Sequence, residues 1–276
     1  MENRRVLTSK DFSTCTGCGA NRFSVEQNGS FIIDWSQFDD QQYAMRINDG
    51  LEVDVLEIGN GAHMKYKVCK GAKLKVTISS LNKASDCSYQ IKLDEYSDVD
   101  FAYADFDSGN KNVNFVFDLN GNEAKFNYHV ASLVSDANKK IFDISFNHNA
   151  LGTSSNVDCY GVAENEGSLN FTGVGYIKNG AKRTKCHQNA KIMVFDQKCN
   201  CKASPILKID DNDVEASHSA TVGKVNDEHL FYLTSRGISE NDAKRLITLG
   251  YLNPIIKHFE DEQIAKDIQD AIEGRV

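Results

Sequence analysis

The sequence predicts a mainly β chain of ten or more strands that ends in a short helical tail. Three observations predict it. Between residues 31 and 209, short runs alternate apolar with polar residues, and no stretch of 3.6-residue period interrupts them. The 276 residues include only two prolines. That scarcity suits long continuous sheets, because proline cannot donate to a ladder. After residue 225 the pattern changes to helix caps and apolar residues spaced i, i+4.

In order, the β-type runs are Phe31–Ile33, Val53–Leu56, Leu74–Ile78, Tyr89–Leu93, Phe101–Phe106, Val113–Phe117, Phe126–Val130, Ile141–Phe146, Leu169–Val174 and Ile192–Phe195. They are rich in Val, Ile, Phe and Tyr, as strands with one buried face are. Several start about 11 to 15 residues apart, with Asn, Gly, Asp or Ser between them. Such a series builds a sandwich, a barrel or a β-helix. Local rules favour hairpins. Asp118-Leu119-Asn120-Gly121-Asn122 sets Asn-Gly between two strands, the strongest short-range hairpin signal. On these residues alone an antiparallel sandwich is the expected form.

The tail carries its own punctuation. Asn226 is the expected N-cap of a helix running to Ser235, with Gly237 as the C′ residue. Ser239-x-x-Asp242 resembles a capping box ahead of Ala243, Leu246 and Ile247 on one face, with Gly250 closing that helix. Asn253-Pro254 reads as an N-cap with proline at the first helical position. Ile264, Ile268 and Ile272 form a narrow stripe on the last helix, expected to pack on the core or to meet a partner.

Composition narrows the function. The net charge of −8 argues against nucleic acid as the main partner, since phosphate binding needs a basic face. No apolar run approaches the roughly 20 residues of a membrane span, and Met1–Arg5 is polar, so a soluble cytoplasmic protein is expected. Eight cysteines in 276 residues are too sparse for a disulfide scaffold, so most are expected to be free thiols. Cys15 and Cys18 form a Cys-x-x-Cys pair without two further ligands at a fitting spacing, and Cys199-Asn200-Cys201 does not supply them.

Other polar residues give weaker signals. His129 and His148 fall at alternating strand positions and read as ordinary surface or core-edge histidines. Gly173-Val174-Gly175 lacks the strand-to-helix context of a phosphate loop. Asp94-Glu95 reads as a solvated strand end. Cys186-His187 follows the basic run Lys182–Lys185. A thiolate favoured by those charges and a neighbouring imidazole would suit a metal, while a plain polar loop between strands is the competing reading.

Residues 204–237 join the two halves, with the acidic residues Asp210, Asp211, Asp213 and Glu215 ahead of a lone histidine, His218. Within this stretch, Val214-Glu215-Ala216-Ser217-His218-Ser219-Ala220-Thr221-Val222-Gly223 closely resembles the core motif of the SufB/SufD family of iron–sulfur cluster assembly proteins. Leu230-Phe231-Tyr232-Leu233-Thr234-Ser235-Arg236-Gly237-Ile238 does so too, and Lys202–Ile209 resembles the approach to that motif. The form of the motif and the uncharged Phe-Tyr-Leu-x-Ser-Arg-Gly helix end look SufD-like rather than SufB-like. Ser219 stands where members usually have glycine. Many members also carry a helical N-terminal region, of which this chain shows at most a remnant.

The resemblance implies a right-handed parallel β-helix core with a C-terminal α-helical subdomain. The expected division is an extension over 1–25, the β-helix over 26–224 and the helical subdomain over 225–276. It further implies a scaffold rather than an enzyme. A SufB-like partner, or a second copy of the chain, would pair through the β-helix. A SufC-like ABC-type ATPase would dock on the C-terminal helices, with Leu230, Phe231, Tyr232, Leu233, Arg236 and Gly237 as the contact candidates. No stably bound cofactor is implied; iron or a nascent cluster would pass through a subunit interface. His218 is the residue carried over for cluster assembly, through iron. Cys186 is a further candidate, and Glu215 a weak one, because three residues along a strand put it on the opposite face from His218. Thr221–Lys224 is expected to act as a hinge between the two functions. The chain has no G-x-x-x-x-G-K-[ST] loop, so any ATP-derived work would come from the partner. Two rivals stand beside this expectation. One is a stand-alone metal- or cluster-binding homodimer. The other is a β-helix carbohydrate-active enzyme drawing on Asp94, Glu95, Asp105 and Asp143.

Overall fold

The computed structural model describes residues 4–14, 20–39, 41–59, 63–82 and 84–275. Cys15 and Cys18 lie outside the described residues.

Strands make up most of the chain. The first six are β1 (Arg5–Leu7), β2 (Ser13–Thr14), β3 (Asn21–Val25), β4 (Gly29–Asp34), β5 (Gln42–Ile47) and β6 (Glu52–Ile58). The next six are β7 (His63–Val68), β8 (Lys73–Ser80), β9 (Cys87–Leu93), β10 (Asp98–Asp105), β11 (Lys111–Leu119) and β12 (Lys125–Val134). The last six are β13 (Lys139–His148), β14 (Ser154–Ala163), β15 (Ser168–Ile177), β16 (Thr184–Val194), β17 (Asn200–Ile209) and β18 (Val214–Lys224). Helices α1 (Asp227–Ser235) and α2 (Glu240–Leu252), a 3-10 helix (Asn253–His258) and α3 (Glu262–Glu273) follow.

Among the described residues the strands form two nine-stranded sheets. One runs β1-β4-β6-β8-β10-β12-β14-β16-β18 and the other β17-β15-β13-β11-β9-β7-β5-β3-β2. Except for the β2–β3 pairing, each ladder is parallel, and each strand pairs with the one a full coil away. This is a parallel β-helix, as the family resemblance implied. The hairpin expected at Asn120-Gly121 does not form: β11 and β12 lie in opposite sheets, and the Asn-Gly pair turns the corner between them. Glycine is required there by the neighbouring coil, because a Cβ on Gly121 would lie 1.9 Å from the backbone nitrogen of Glu95. The segment 1–25 already contributes β1, paired with β4, and β3, paired with β5.

Alternation along each strand sends one side chain in two into a continuous interior. The middle coils fill it with rings. Tyr89 and Phe115 stack with centroids 4.8 Å apart, and Phe117 and Phe126 stack at 4.3 Å. A second core lies on the outer face of the first sheet. There Ala102, Ala104, Ala131, Leu133 and Val162 meet Leu252, Ile255, Phe259, Ile264, Ile268 and Ile272. The isoleucine stripe of α3 is therefore core, packed on a strand face whose alanines admit a helix closely.

The caps are largely as expected. Asn226 accepts from the Glu228 amide, Ser239 from the Asp242 amide, and Gly237 takes a positive φ of 89°. Three expectations change. Leu246 is half exposed rather than on the buried face with Ala243. Helix α2 runs through Gly250 to Leu252, and Asn253-Pro254 opens a 3-10 helix rather than an α-helix. Proline's fixed φ and missing donor suit either kind of first turn.

Candidate functional site

The last coil, β17 and β18, has no coil beyond it among the described residues. Each strand pairs on one side only, β17 with β15 and β18 with β16, so each presents an open edge. Ile206, Ile209 and Val222 are among the large apolar side chains left exposed here.

Register sets which side chains line the interior at this end. On β16 the buried row is Thr184, Cys186, Gln188, Ala190 and Ile192. In β18, Ala216 lies opposite Cys186, His218 opposite Gln188 and Ala220 opposite Ala190. His218 thus continues the interior row at its open end, flanked in that row by two alanines, and is exposed. Glu215 lies opposite Lys185 on the outer face. It faces Lys185 Nζ at 3.3 Å and His187 Nε2 at 3.6 Å, so the structure turns it away from His218.

Cys186 sits within strand β16, not in a loop, and its side chain is wholly buried. Burial pushes its thiol up to about 11, only partly offset by a hydrogen bond with Ser155. The lowered thiol expected from Lys182–Lys185 is overturned, because the charged residues Lys182, Arg183 and Lys185 sit on the preceding turn and the outer face while the sulfur points inward. The adjacent His187 points outward and is hydrogen-bonded to Ser217 Oγ at 2.8 Å.

The Gly173-Val174-Gly175 run finds its explanation here. A Cβ on Gly173 would lie 2.3 Å from Gln188 Oε1, and one on Gly175 would lie 3.0 Å from Cys186 Sγ. The two glycines make room for these side chains, and Gln188 donates across the end coil to the Ile206 carbonyl at 3.0 Å. Cys201, on β17, is a further partly buried free thiol packed against this core. In the sequence it stands out only as half of the close pair Cys199-Asn200-Cys201, whose spacing does not complete a metal site. One coil deeper, His148 is fully buried between Thr153 Oγ1 at 2.8 Å and Ser155 Oγ at 2.9 Å. Burial holds its imidazole down to about 3, so it is neutral.

Beyond Lys224 the chain leaves the sheet. The expected hinge, Thr221–Lys224, is strand, paired with Lys191–Val194 of β16. The break falls at Val225-Asn226, and Val225 is anchored in the outer core. Helix α1 has no buried residue. Leu230 and Leu233 are half-buried, Phe231 is 73% and Tyr232 58% exposed, and the Arg236 guanidinium lies over the Tyr232 ring at 5.3 Å. The contact candidates therefore form an uncovered aromatic patch next to the open coil in sequence.

The acids considered for carbohydrate chemistry do not converge. Asp94 and Glu95 follow β9 and pair with Lys67 and Lys70. Asp105 is sealed inside among lysines, and Asp143 is exposed on the outer face of β13. Among the described residues no helix is long and apolar enough to cross a membrane.

Comparison with known proteins agrees with this architecture. Residues 41–251 match the family described as SUF system FeS cluster assembly, SufBD core domain. An iron–sulfur cluster assembly protein SufD of Bacillus subtilis is 37% identical over 117 residues, 42% of this chain and 27% of that protein. A SufBD family protein of Staphylococcus haemolyticus is 30% identical over 129 residues, 47% of this chain and 27% of the relative. One of Mycobacterium tuberculosis is 31% identical over 132 residues, 47% of this chain and 16% of the relative. The matched segment thus spans about a quarter or less of these relatives' length. With the family match covering most of the chain, and with a parallel β-helix behind it, the chain belongs to the SufB/SufD family of the SUF system for iron–sulfur cluster assembly, on its SufD side.

Proposed function

We propose that this chain is a cytoplasmic SufD-like scaffold subunit. It pairs with a SufB-like subunit along the open β17–β18 coil and is driven by a SufC-like ATPase docked on the C-terminal helices. Iron or a nascent cluster is the cargo of the joint site, not a resident cofactor. The observation that carries the proposal is the open coil itself. An unpaired sheet edge is a template for another strand, since its free amides and carbonyls match those of a partner edge. His218 stands at that edge as an exposed imidazole, a good ligand for ferrous iron. Cys186 lies one strand inward, opposite Ala216, buried and protonated at neutral pH, and would act only after the coil opened. The patch of Phe231 and Tyr232 gives the ATPase an apolar and aromatic surface, the composition of a docking hot spot.

The test is co-expression of the chain with candidate SufB-like and SufC-like proteins. His218→Ala is expected to keep folding and ATPase co-purification while lowering the activity of cluster-dependent enzymes in cells. Truncation after residue 225 is expected to lose the ATPase. Normal cluster enzyme activities in the His218 variant would remove that residue from the assembly site. ATPase retention by the truncated chain would remove the docking surface. A stable homodimer that excludes the SufB-like chain would favour the stand-alone reading.

A further inference from the structure

A group of metal-ligating side chains lies away from the open coil, on the outer face of the first sheet. Asp100 of β10, His129 of β12 and His258 of the 3-10 helix present ligand atoms all within 4.8 Å of one another. Asp100 Oδ1 is 4.0 Å from His129 Nε2 and 3.9 Å from His258 Nδ1. These gaps are too wide for hydrogen bonds. They suit an ion between the groups: with bonds of about 2.0–2.2 Å to nitrogen and oxygen, ligand atoms sit about 3.3–4.2 Å apart.

Further observations bear on the site. Asp100 Oδ1 is itself buried and has no hydrogen-bond partner, which is costly for a carboxylate oxygen unless a cation meets it. His129 turns its other nitrogen, Nδ1, toward Asp158 Oδ2 at 3.7 Å. Asp158 lies directly opposite it on β14, and a carboxylate behind a histidine is the usual support of a metal-bound imidazole. The two imidazole rings lie close together, centroids 4.3 Å apart and 30° from parallel. The nearby cation, Lys75, is engaged with Glu260 at 2.5 Å. A cleft of about 530 Å³ lined by Asp54, Lys75, Asp98, Asp100 and Asn127 adjoins the group at Asp100.

We infer that Asp100, His129 and His258 form a binding site for a divalent transition-metal ion of the zinc or iron(II) class, which ties the C-terminal helical segment to the flank of the β-helix. Two imidazoles and one carboxylate suit such ions rather than calcium or magnesium, which prefer all-oxygen shells. The set leaves room for water as a remaining ligand. Two ligands come from neighbouring strands and one from the segment after α2, so the ion would lower the freedom of residues 253–258 relative to the sheet.

The test uses the full chain, purified with chelator and then titrated with Zn²⁺ and, as a spectroscopic probe, Co²⁺. One ion per chain is expected. Its cobalt complex should show visible ligand-field bands without a near-ultraviolet thiolate charge-transfer band, which separates this site from any cysteine site. Amide exchange in residues 253–258 should slow on Zn²⁺ addition. Asp100→Asn and His258→Gln, each checked for native circular dichroism, should weaken binding by at least about tenfold, while His218→Ala should leave it unchanged. No stoichiometric binding by the native chain would overturn the site. So would a thiolate band, or binding that survives Asp100→Asn combined with His258→Gln. The His218 arm keeps this result separate from the fate of the assembly proposal.

Discussion

Replacing Asp105 with asparagine tests how the β-helix tolerates charge in its interior. Asp105, Asp107, Lys111 and Lys140 are all fully buried. Lys111 Nζ donates to Asp105 Oδ1 at 2.7 Å, Lys140 Nζ to Asp105 Oδ2 at 2.7 Å, and Ser132 Oγ to the same Oδ2 at 2.6 Å. Lys111 also meets Asp107, and Lys140 Nζ lies 3.2 Å from Asp107 Oδ1. Two ammonium groups are thus balanced by two carboxylates. Asparagine at 105 keeps the shape but leaves one positive charge uncompensated, and breaking a buried pair from one side costs about 3–5 kcal/mol. With a urea slope of about 3 kcal/mol/M for a chain of this size, the midpoint should fall by about 1–1.7 M. Adding Lys140→Met restores neutrality and should recover part of the loss. The pH dependence has a definite sign. Burial alone would raise the Asp105 carboxyl, but the ammonium groups of Lys111 and Lys140 outweigh it and hold the group well below the ordinary range. Its contribution is therefore complete above about pH 4 and lost as pH falls toward the folded value. Urea and acid titrations of the native chain, the two single variants and the double variant, followed by circular dichroism, provide the measurement. A midpoint shift below about 0.3 M, or a double variant as weak as the two single losses added, would refute charge balance as the reason for the cage.

Two further predictions concern other parts of the fold. Glu164 has a buried oxygen, Oε1, without a hydrogen-bond partner, and burial, helped by Asp196 and opposed by Lys244, raises its carboxyl to about 7. A raised carboxyl stabilises the fold below its unfolded value near 4.5 and loses that contribution as pH rises toward 7; Glu164→Gln should flatten the stability profile between those limits, read by thermal melts at stepped pH. Gly121→Ala drives a Cβ into the Glu95 backbone and should cost about 1–3 kcal/mol, whereas Gly250→Ala, in open space within α2, should stabilise by up to about 1 kcal/mol; equal effects of the two in urea melts would contradict the close-approach account.

The ten alternating runs marked real strands, but alternation says only that one face is buried. A parallel coil and an antiparallel hairpin share that period, so Asn120-Gly121 looked like a hairpin when it was a corner. Of the missed strands, β14 has a weak inward face, whereas β5 and β7 bury clear rows, Tyr43, Met45 and Ile47 in one and Met64, Tyr66 and Val68 in the other. In β14 the buried row is Ser155, Val157, Cys159 and Gly161, which carries little hydrophobic signal. Lys111 and Lys140 point inward against every expectation for lysine, and only their carboxylate partners on β10 and the following residues account for it. Beside the assembly motif, His218 and the α1 patch were legible because they lie in one contiguous stretch. The Asp100–His129–His258 group was not, since its members come from three elements far apart in sequence, and a single histidine on a strand carries no spacing to read.

The two edges of the terminal coil are not equivalent, and the difference says which one a partner would use. Long flat edges invite pairing, and natural edges are blunted with charge and proline. On β17, Lys202, Pro205 and Lys208 interrupt the strand, and Pro205 removes one donor from it. On β18 the charges stand only at the ends, Glu215 and Lys224, and the stretch Ala216–Gly223 between them carries none. That stretch is also the one with small residues on either side of His218 in its interior row. An edge left unguarded over eight residues, with an exposed imidazole at its centre, is where a second sheet would be continued. A strand laid along β18 would close over the end of the interior and set its own side chains against His218. A partner on β17 would bury two lysines and leave His218 open to solvent. The pairing that would satisfy the ladder is therefore the same one that would enclose the proposed iron ligand.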